Sequence, residues 1–375
     1  MQSKKRYFIL SSLILLMSIE GCARFFKKDV TRPELSPYSS QFNSIVIFGD
    51  SLSDGGSIDL LTRGAKEIPG SGIKKIYPVS PPYKEGRFSN GEVWIDKLMS
   101  DLKLSVISSH DCFYNINTNR ACNFAVGGST TSSTQNGEND LFDQIKEFFK
   151  NGVVSNYLKK PQVLMHLGVK EMINEYLMAN KPDDYALNHT LYVIWAGGND
   201  YLGKADPTLT VNNIIASIKI ILDHSSSTDK NYFLIPNLPD LGETPYAIKR
   251  KEEGKILSDK SNKHNSILNE QLEILKSNPK YKDKAVIIQL KIAEFFKDII
   301  TYPTSYGFTK VNEACYSKNY LENDGKICAN PNEYLFWDEI HPSKRAHCLI
   351  GNLAEKALIE AKLIKDLIPD NKTCD

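Results

Sequence analysis

Apolar residues along this chain fall into two rhythms that alternate. Short, largely β-branched runs, Ser44 to Phe48, Leu191 to Ala196, Tyr232 to Ile235 and Ala285 to Leu290, have the length and continuity of buried strands. Between them the apolar positions return at helical spacing. Trp94, Leu98 and Leu102 mark one helix; Val211, Ile214, Ile215, Ile218 and Leu222 mark a second. Leu268, Leu272 and Leu275 mark a third, and a last helix is expected from about Arg345 to Leu367. Strand followed by helix, repeated, predicts an α/β protein whose parallel sheet is covered on both faces. The stretch from Thr301 to Tyr334 is polar, holds Pro303 and Pro331 and has no period, so it is expected to be irregular. No internal repeat or low-complexity block interrupts the pattern.

The first residues follow a different logic. Lys4, Lys5 and Arg6 precede an apolar run from Phe8 to Ile19. Those 12 residues would span only ~18 Å as a helix, against a bilayer core of ~30 Å. A basic start and a short apolar run predict a signal peptide over residues 1–23, with cleavage after Ala23. Ile19-Glu20-Gly21-Cys22 also resembles a bacterial lipoprotein box, which would make Cys22 a lipidated residue. Arg24 to Phe42 mixes charge, Ser and Pro without period and is expected to be a tether. The folded domain is then expected over residues 43–369, with a short tail at 370–375.

Export changes how the seven cysteines are read. With Cys22 lipidated or removed, six remain, and an even count permits disulfides outside the cytosol. Cys112 with Cys122, and Cys315 with Cys328, each close a short polar loop and are the expected pairs. Cys348 lies in an apolar helical stretch, where a buried free thiol fits as well as a bond. No cysteine–histidine spacing calls for zinc, and no cofactor is expected. Lys and Arg number 46 against 45 Asp and Glu, a net charge of +1, so the balance gives no case for nucleic acid as a partner.

Chemistry concentrates at the ends of predicted strands. The first strand runs into Phe48-Gly49-Asp50-Ser51-Leu52-Ser53-Asp54, where Gly49 is expected to allow a sharp turn and Ser51 to emerge at the carboxyl edge of the sheet. A helix beginning just after Ser51 would aim backbone amides at a developing anion. Near the other end, Phe336-Trp337-Asp338-Glu339-Ile340-His341-Pro342 sets a carboxylate three residues before an imidazole. In a tight turn that spacing brings Asp338 to His341 Nδ1 and leaves Nε2 free to take a proton from a serine. Pro342 could start the next helix. Alone, the same residues could equally be a helix cap and a surface histidine. Two further segments, Asn123 to Thr130 with Gly127-Gly128, and Trp195-Ala196-Gly197-Gly198-Asn199-Asp200, could supply donors to a tetrahedral oxyanion, or be plain glycine turns.

Taken together, Gly49-Asp50-Ser51-Leu52, Gly128, Asn199 and Asp338 to His341 stand in the order of the four blocks of the SGNH (GDSL) hydrolase superfamily, which the chain resembles. Ser80-Pro81-Pro82-Tyr83, Gly86-Arg87-Phe88-Ser89-Asn90-Gly91 and Pro236 to Gly242 are similar to a narrower group of bacterial secreted phospholipases A and glycerophospholipid–cholesterol acyltransferases, including thermolabile haemolysins. The resemblance implies an SGNH-hydrolase-like (flavodoxin-like) parallel sheet of about five strands with helices on both faces. It implies Ser51, Asp338 and His341 as a catalytic triad. It also implies the N–H groups of Ser51 and Gly128 and the amide of Asn199 as an oxyanion hole. The substrate would be a lipid ester, phospholipid or lysophospholipid, with a sterol as a conceivable acceptor and only transient contact with a membrane surface. The enzyme would be secreted or held at the outer membrane of a Gram-negative bacterium. Relatives carry a longer cysteine-bounded loop that is nicked on activation, whereas 12 residues separate Cys315 from Cys328 here, which speaks against nicking. The absence of G-x-S-x-G around Ser51 argues against the α/β-hydrolase fold. Two other readings remain: an esterase of short-chain or carbohydrate esters on the same fold, and a non-catalytic lipid-binding surface protein, which would need a broken triad.

The processing reading yields a direct test. Intact mass of the mature protein is expected to lack residues 1 to 21 or 23, with a lipid-modified Cys22 in the first case and a free Arg24 terminus in the second. A mass that includes Met1 would refute both.

Overall fold

All six residues of Ser44–Gly49 are buried, as a strand packed on both faces requires. The computed structural model of the chain describes residues 41–42, 44–67, 75–104, 121–132, 168–179, 189–225, 230–365 and 374. In chain order its elements begin with β1 (Ser44–Gly49), α1 (Ser57–Lys66), α2 (Trp94–Asp101), β2 (Cys122–Asn123), α3 (Val169–Ala179), β3 (Thr190–Trp195), α4 (Gly198–Leu202) and α5 (Pro207–His224). They continue with β4 (Asn231–Pro236), α6 (Pro245–Lys249), α7 (Lys251–Ser277), β5 (Ala285–Leu290), α8 (Ile292–Thr301), β6 (Lys310–Ala314), β7 (Tyr334–Phe336) and α9 (Lys344–Glu360).

Five strands form one parallel sheet in the order β2-β1-β3-β4-β5. The α/β class expected from the alternating rhythms is what the chain adopts. Side chains alternate across this sheet. Val46, Phe48, Tyr192, Ile194, Phe233 and Ile235 share one core with α1, α3, α5 and α7, through Ile58, Tyr176, Ile218 and Leu272 among others. Ile45, Ile47, Leu191, Val193 and Leu234 share the other with α2, α8 and α9, through Leu98, Phe296 and Ile350. Each fully buried Leu, Ile or Phe contributes about 1.5–3 kcal/mol, so the two cores together hold the layers.

The winding changes direction between β1 and β3, because β2 lies on one side of β1 and the rest of the sheet on the other. Ligands of open parallel sheets bind outside the carboxyl ends of strands at such a switch point. There the turns after β1 and β3 lie at one carboxyl edge, and residues of both line a cleft. Gly49 and Trp195, the last residues of these strands, are register partners.

Several local expectations are corrected. Gly49 makes no unusual turn; a side chain there would put Cβ 2.7 Å from the Trp195 carbonyl oxygen, so close approach of two backbones is what demands glycine. The first helix starts at Ser57 rather than directly after Ser51, and the turn at Ser51 is held by side chains instead. Pro342 precedes α9 without opening it, since Ser343 is the cap and accepts from the Ala346 N–H. That helix ends at Glu360, short of Leu367, because Lys362 adopts a left-handed φ of 58° and turns Leu363 and Ile364 back into the core. The polar stretch from Thr301 to Tyr334 is more ordered than its composition suggested: β6 lies within it and pairs in parallel with β7, which begins at its last residue.

Cysteine pairing is also partly corrected. Cys315 is bonded to Cys328. Cys348 is not a free thiol: it is bonded to Cys374, which ties the C-terminal residues to α9. Cys122 is disulfide-bonded, and its expected partner Cys112 lies outside the described residues, as does Cys22. Among the described residues no helix is long and apolar enough to cross a membrane.

The contact at the switch point is testable. Gly49→Ala is expected to force β1 and β3 apart and to cost about 1–3 kcal/mol, the range for overpacking. Thermal unfolding checks it; a melting temperature equal to that of the parent would show that the two backbones can separate freely.

Candidate active site

Beyond β1 the chain makes a compact turn. Asp50 Oδ1 accepts the Leu52 N–H at 3.0 Å, and the Asp50 carbonyl accepts the Ser53 N–H at 3.0 Å. Ser53 is held in turn: its hydroxyl accepts from Trp94 Nε1 at 3.0 Å and its carbonyl from Asn123 Nδ2 at 2.7 Å. Ser51 rides on this turn, 8% exposed. Asp54 then closes the structure beneath it. One of its oxygens accepts the N–H groups of Gly56 and Ser57 at 2.8 and 2.6 Å, the other those of Ile58 and Gly127 at 3.3 and 2.7 Å. The first amides of α1 are thereby consumed by Asp54, so that helix terminus is not free to receive an anion.

The carboxylate and imidazole come from the segment after β7. The Trp337 N–H donates to the His341 carbonyl at 2.8 Å and the Ser343 N–H to the Leu335 carbonyl at 2.9 Å, which makes residues 337–342 a tight loop. Inside it Asp338 Oδ1 accepts the N–H groups of Ile340 and His341 at 2.8 and 2.7 Å. Its other oxygen is then turned to His341 Nδ1, 2.8 Å away. On the far side of the ring, Nε2 lies 3.0 Å from Ser51 Oγ. Nδ1 next to a carboxylate carries the proton, so Nε2 is left as an acceptor for the serine hydroxyl. Residues 290 positions apart are thus joined in one line from Ser51 through His341 to Asp338.

An aromatic and polar collar fixes the histidine. The Phe88 ring lies 5.0 Å from the imidazole centroid and Tyr320 stands edge-on at 6.0 Å. Ser89 donates to the Pro342 carbonyl at 2.9 Å and Asn90 Oδ1 accepts the Lys344 N–H at 2.8 Å. The segment Ser80 to Gly91, noted in the sequence only for its likeness to a narrower group, therefore wraps the histidine loop. Its Tyr83 donates to Asp338 Oδ2 at 2.6 Å. The sequence held no signal for that bond, which links residues 255 positions apart.

The two glycine-rich segments are also tied together. Gly197, with φ of 130°, turns the chain from β3 into α4, and Asn199 Nδ2 donates to the Ser129 carbonyl at 2.9 Å. Asp200 accepts both the N–H and the hydroxyl of Thr131, at 3.0 and 2.6 Å. Gly128, with a left-handed φ of 84°, lies one residue before the carbonyl that holds Asn199. Asp54 and Asp200, which the sequence did not single out, thus fasten the loop of Gly128 to the turns that carry Ser51 and Asn199.

Burial sets the charges here. It pushes Asp50 up to about 7 and Asp54 up to about 6, against the backbone N–H groups each accepts. Asp338 goes the other way: burial works to raise it, but the charge of His341 and hydrogen bonds from His341 and Tyr83 hold it below the usual carboxylate range. Ser51 and Asn199 open on a cleft of about 550 Å³. Leu52, Leu241, Phe296, Ile300 and Phe336 line it, with Asn237, Asp240 and Glu294 at polar positions.

Residues 45–354 match the family described as GDSL-like Lipase/Acylhydrolase. Among curated relatives, a phosphatidylcholine-sterol acyltransferase of Aeromonas hydrophila is 26% identical over 356 residues, covering 84% of this chain and 89% of that protein. A GDSL esterase/lipase of Arabidopsis thaliana is 27% identical over 343 residues, covering 83% and 86%. A secreted effector protein of Salmonella typhimurium is 26% identical over 340 residues, covering 87% of this chain and 66% of that one.

Proposed function

We propose, for a chain that belongs to the GDSL-like lipase/acylhydrolase family, that it is an exported serine esterase of phospholipid or lysophospholipid esters in which Ser51, His341 and Asp338 form the catalytic triad. The observation that carries this reading is the unbroken line of hydrogen bonds from Ser51 Oγ to Asp338, ending at a cleft with an apolar wall.

The chemistry follows from that line. His341 Nε2 takes the Ser51 proton as Oγ attacks the ester carbonyl, and the carbonyl electron pair moves to oxygen. The oxyanion is received by the N–H groups of Ser51 and Gly128 and by Asn199. Asn199 spends one amide hydrogen on the Ser129 carbonyl, which fixes the plane of the amide and leaves its second hydrogen for the substrate. As the tetrahedral species collapses, the imidazolium returns its proton to the departing alcohol, and the acyl group stays on Ser51. Water, activated by the same Nε2, releases the fatty acid; a sterol hydroxyl in its place gives a sterol ester. Asp338 keeps the imidazole in the tautomer that both steps need.

Leu241, Phe296, Ile300 and Phe336 favour an acyl chain over a sugar in the cleft, where apolar contact rather than polar edges meets the substrate. The name of the Aeromonas relative supports a phospholipid donor and a sterol acceptor. The secreted Salmonella relative and the basic, then apolar, start of the chain support export, with residues 1–23 as signal peptide or Cys22 as a lipid anchor. Contact with the membrane would then be transient, made as substrate is drawn from its surface.

Ser51→Ala and His341→Ala are each expected to abolish ester hydrolysis without changing the circular dichroism spectrum, because the two act as a unit. Asn199→Ala is expected to lower kcat by about 10²–10³-fold, the loss for one oxyanion donor. Retention of half the activity by Ser51→Ala would end the triad assignment. Thin-layer analysis of products from mixed phospholipids, with and without cholesterol, is expected to reveal lysophospholipid and fatty acid, and sterol ester when cholesterol is present. Cleavage of acetyl esters alone would replace the lipid reading by the short-chain one.

A further inference from the structure

Tyr83 has a buried hydroxyl aimed at the triad, and no step above uses it. Its side chain is 2% exposed. The ring stands edge-on to Tyr316 and Trp337, with centroids 5.9 and 6.2 Å away, and those two rings stack on each other at 5.7 Å. The backbone is held as firmly: its N–H donates to the Val79 carbonyl and its carbonyl accepts from Ser80 Oγ at 2.8 Å. Burial, together with the charge of Asp338, pushes ionisation of the phenol far above its ordinary range. The hydroxyl is therefore a donor under all working conditions, and its acceptor is Asp338 Oδ2 at 2.6 Å.

That oxygen is the one His341 uses. Oδ1 is occupied by two backbone amides of the loop, whereas Oδ2 is shared by Tyr83 Oη and His341 Nδ1. The geometry points to Tyr83 as a positioning residue of the triad, whose hydroxyl keeps Oδ2 in line with the imidazole and withdraws part of the carboxylate's charge. This rests on the assignment of Ser51, His341 and Asp338 given above. Two consequences follow. Without the hydroxyl, Oδ2 keeps only the imidazole as a hydrogen-bond partner, and small misplacements of catalytic groups are costly in rate. The charge on Oδ2 is also no longer shared, so it acts more strongly on the imidazolium that forms during the reaction. Other titratable groups around His341 and Asp338 are Asp50 on the turn after β1, His347 in α9, Tyr320 against the ring and Tyr316 beside Tyr83. Tyr83→Phe removes none of these groups, so parent and variant differ in the phenol hydroxyl alone.

Tyr83→Phe keeps the ring and its aromatic neighbours. Hydrolysis of a soluble short-chain ester by parent, Tyr83→Phe, Tyr316→Phe and Ser51→Ala is measured from pH 5 to pH 9, with melting temperatures for each. For Tyr83→Phe, kcat is expected to fall about tenfold with KM little changed, the loss of one hydrogen bond to a charged group. The acidic limb of kcat/KM is expected to move upward by about half a pH unit. Tyr316→Phe, whose hydroxyl donates to the Glu322 carbonyl instead, is expected to leave that limb where it is. A Tyr83→Phe profile superimposable on the parent's, or one lowered without any shift alongside a lower melting temperature, would overturn the positioning role. Activity in Ser51→Ala would overturn the triad assignment itself, a separate failure.

Discussion

Asp338, 2% exposed, must remain an anion beside His341, and a buried carboxylate does so only where hydrogen bonds replace water. Four donors meet it: two backbone amides of its own loop, His341 Nδ1 and Tyr83 Oη. Each donor places a demand on the fold. The amides need a loop tight enough to fold Ile340 and His341 back over the carboxylate, and the pairing of Trp337 with His341 and Ser343 with Leu335 provides it. The phenol needs a remote segment, Ser80 to Gly91, laid across the loop and fastened by Ser89 and Asn90. The aromatic seat of Tyr83 needs Tyr316 and Trp337 stacked, and Tyr316 follows directly on the Cys315–Cys328 disulfide. The Tyr316 N–H also donates to the Trp337 carbonyl at 2.7 Å, so β6 and its clip brace the residue just before Asp338.

The serine side of the site depends on the sheet rather than on a loop. A sheet of order β2-β1-β3-β4-β5 brings the turns after β1 and β3 to one carboxyl edge, where residues of both line the cleft. Ser51 and Asn199 stand on those two turns. Because Gly49 lets the Trp195 carbonyl approach its Cα, the strands carrying them remain in register to their last residues. Asp54 and Asp200 extend this rigidity to the loop of Gly128, one from each side. Buried carboxylates are thus concentrated at the carboxyl edge, where irregular backbone has amides to satisfy and no neighbouring strand to satisfy them.

What could be read from the sequence reflects which interactions are local. β1, β3 and β4 were legible because burial on both faces demands unbroken apolar runs, β5 by its apolar run although only Ile287 and Leu290 of it are buried, and the helices because one stripe of each meets the sheet. Asp338 and His341 were legible as a pair because three residues of a tight loop set their distance. By contrast β2 is two residues long and leaves no periodic trace, and β6, with the half-exposed sequence Lys-Val-Asn-Glu-Ala, reads as loop because its pairing with β7 needs no apolar face. The Cys348–Cys374 bond was hidden since Cys374 stands in a polar tail whose return to α9 no local pattern announces. Tyr83 was visible only as part of a motif; its bond to Asp338 depends on how the whole chain closes.

The last constraint is on which carboxylate serves the histidine. Asp50 and Asp338 both interact electrostatically with His341. Their surroundings drive them apart. Asp50 receives the Leu52 N–H and otherwise lies in a buried turn, so burial dominates and lifts it to about 7. Asp338 is equally buried, yet its donors and the imidazole outweigh burial and hold it below the usual range. In the proposed reaction the proton that His341 takes from Ser51 is balanced by Asp338, on the Nδ1 side of the ring. Nε2, 3.0 Å from Ser51 Oγ, faces the serine. The charge of His341 and the donors around Asp338 set two equally buried carboxyl groups apart.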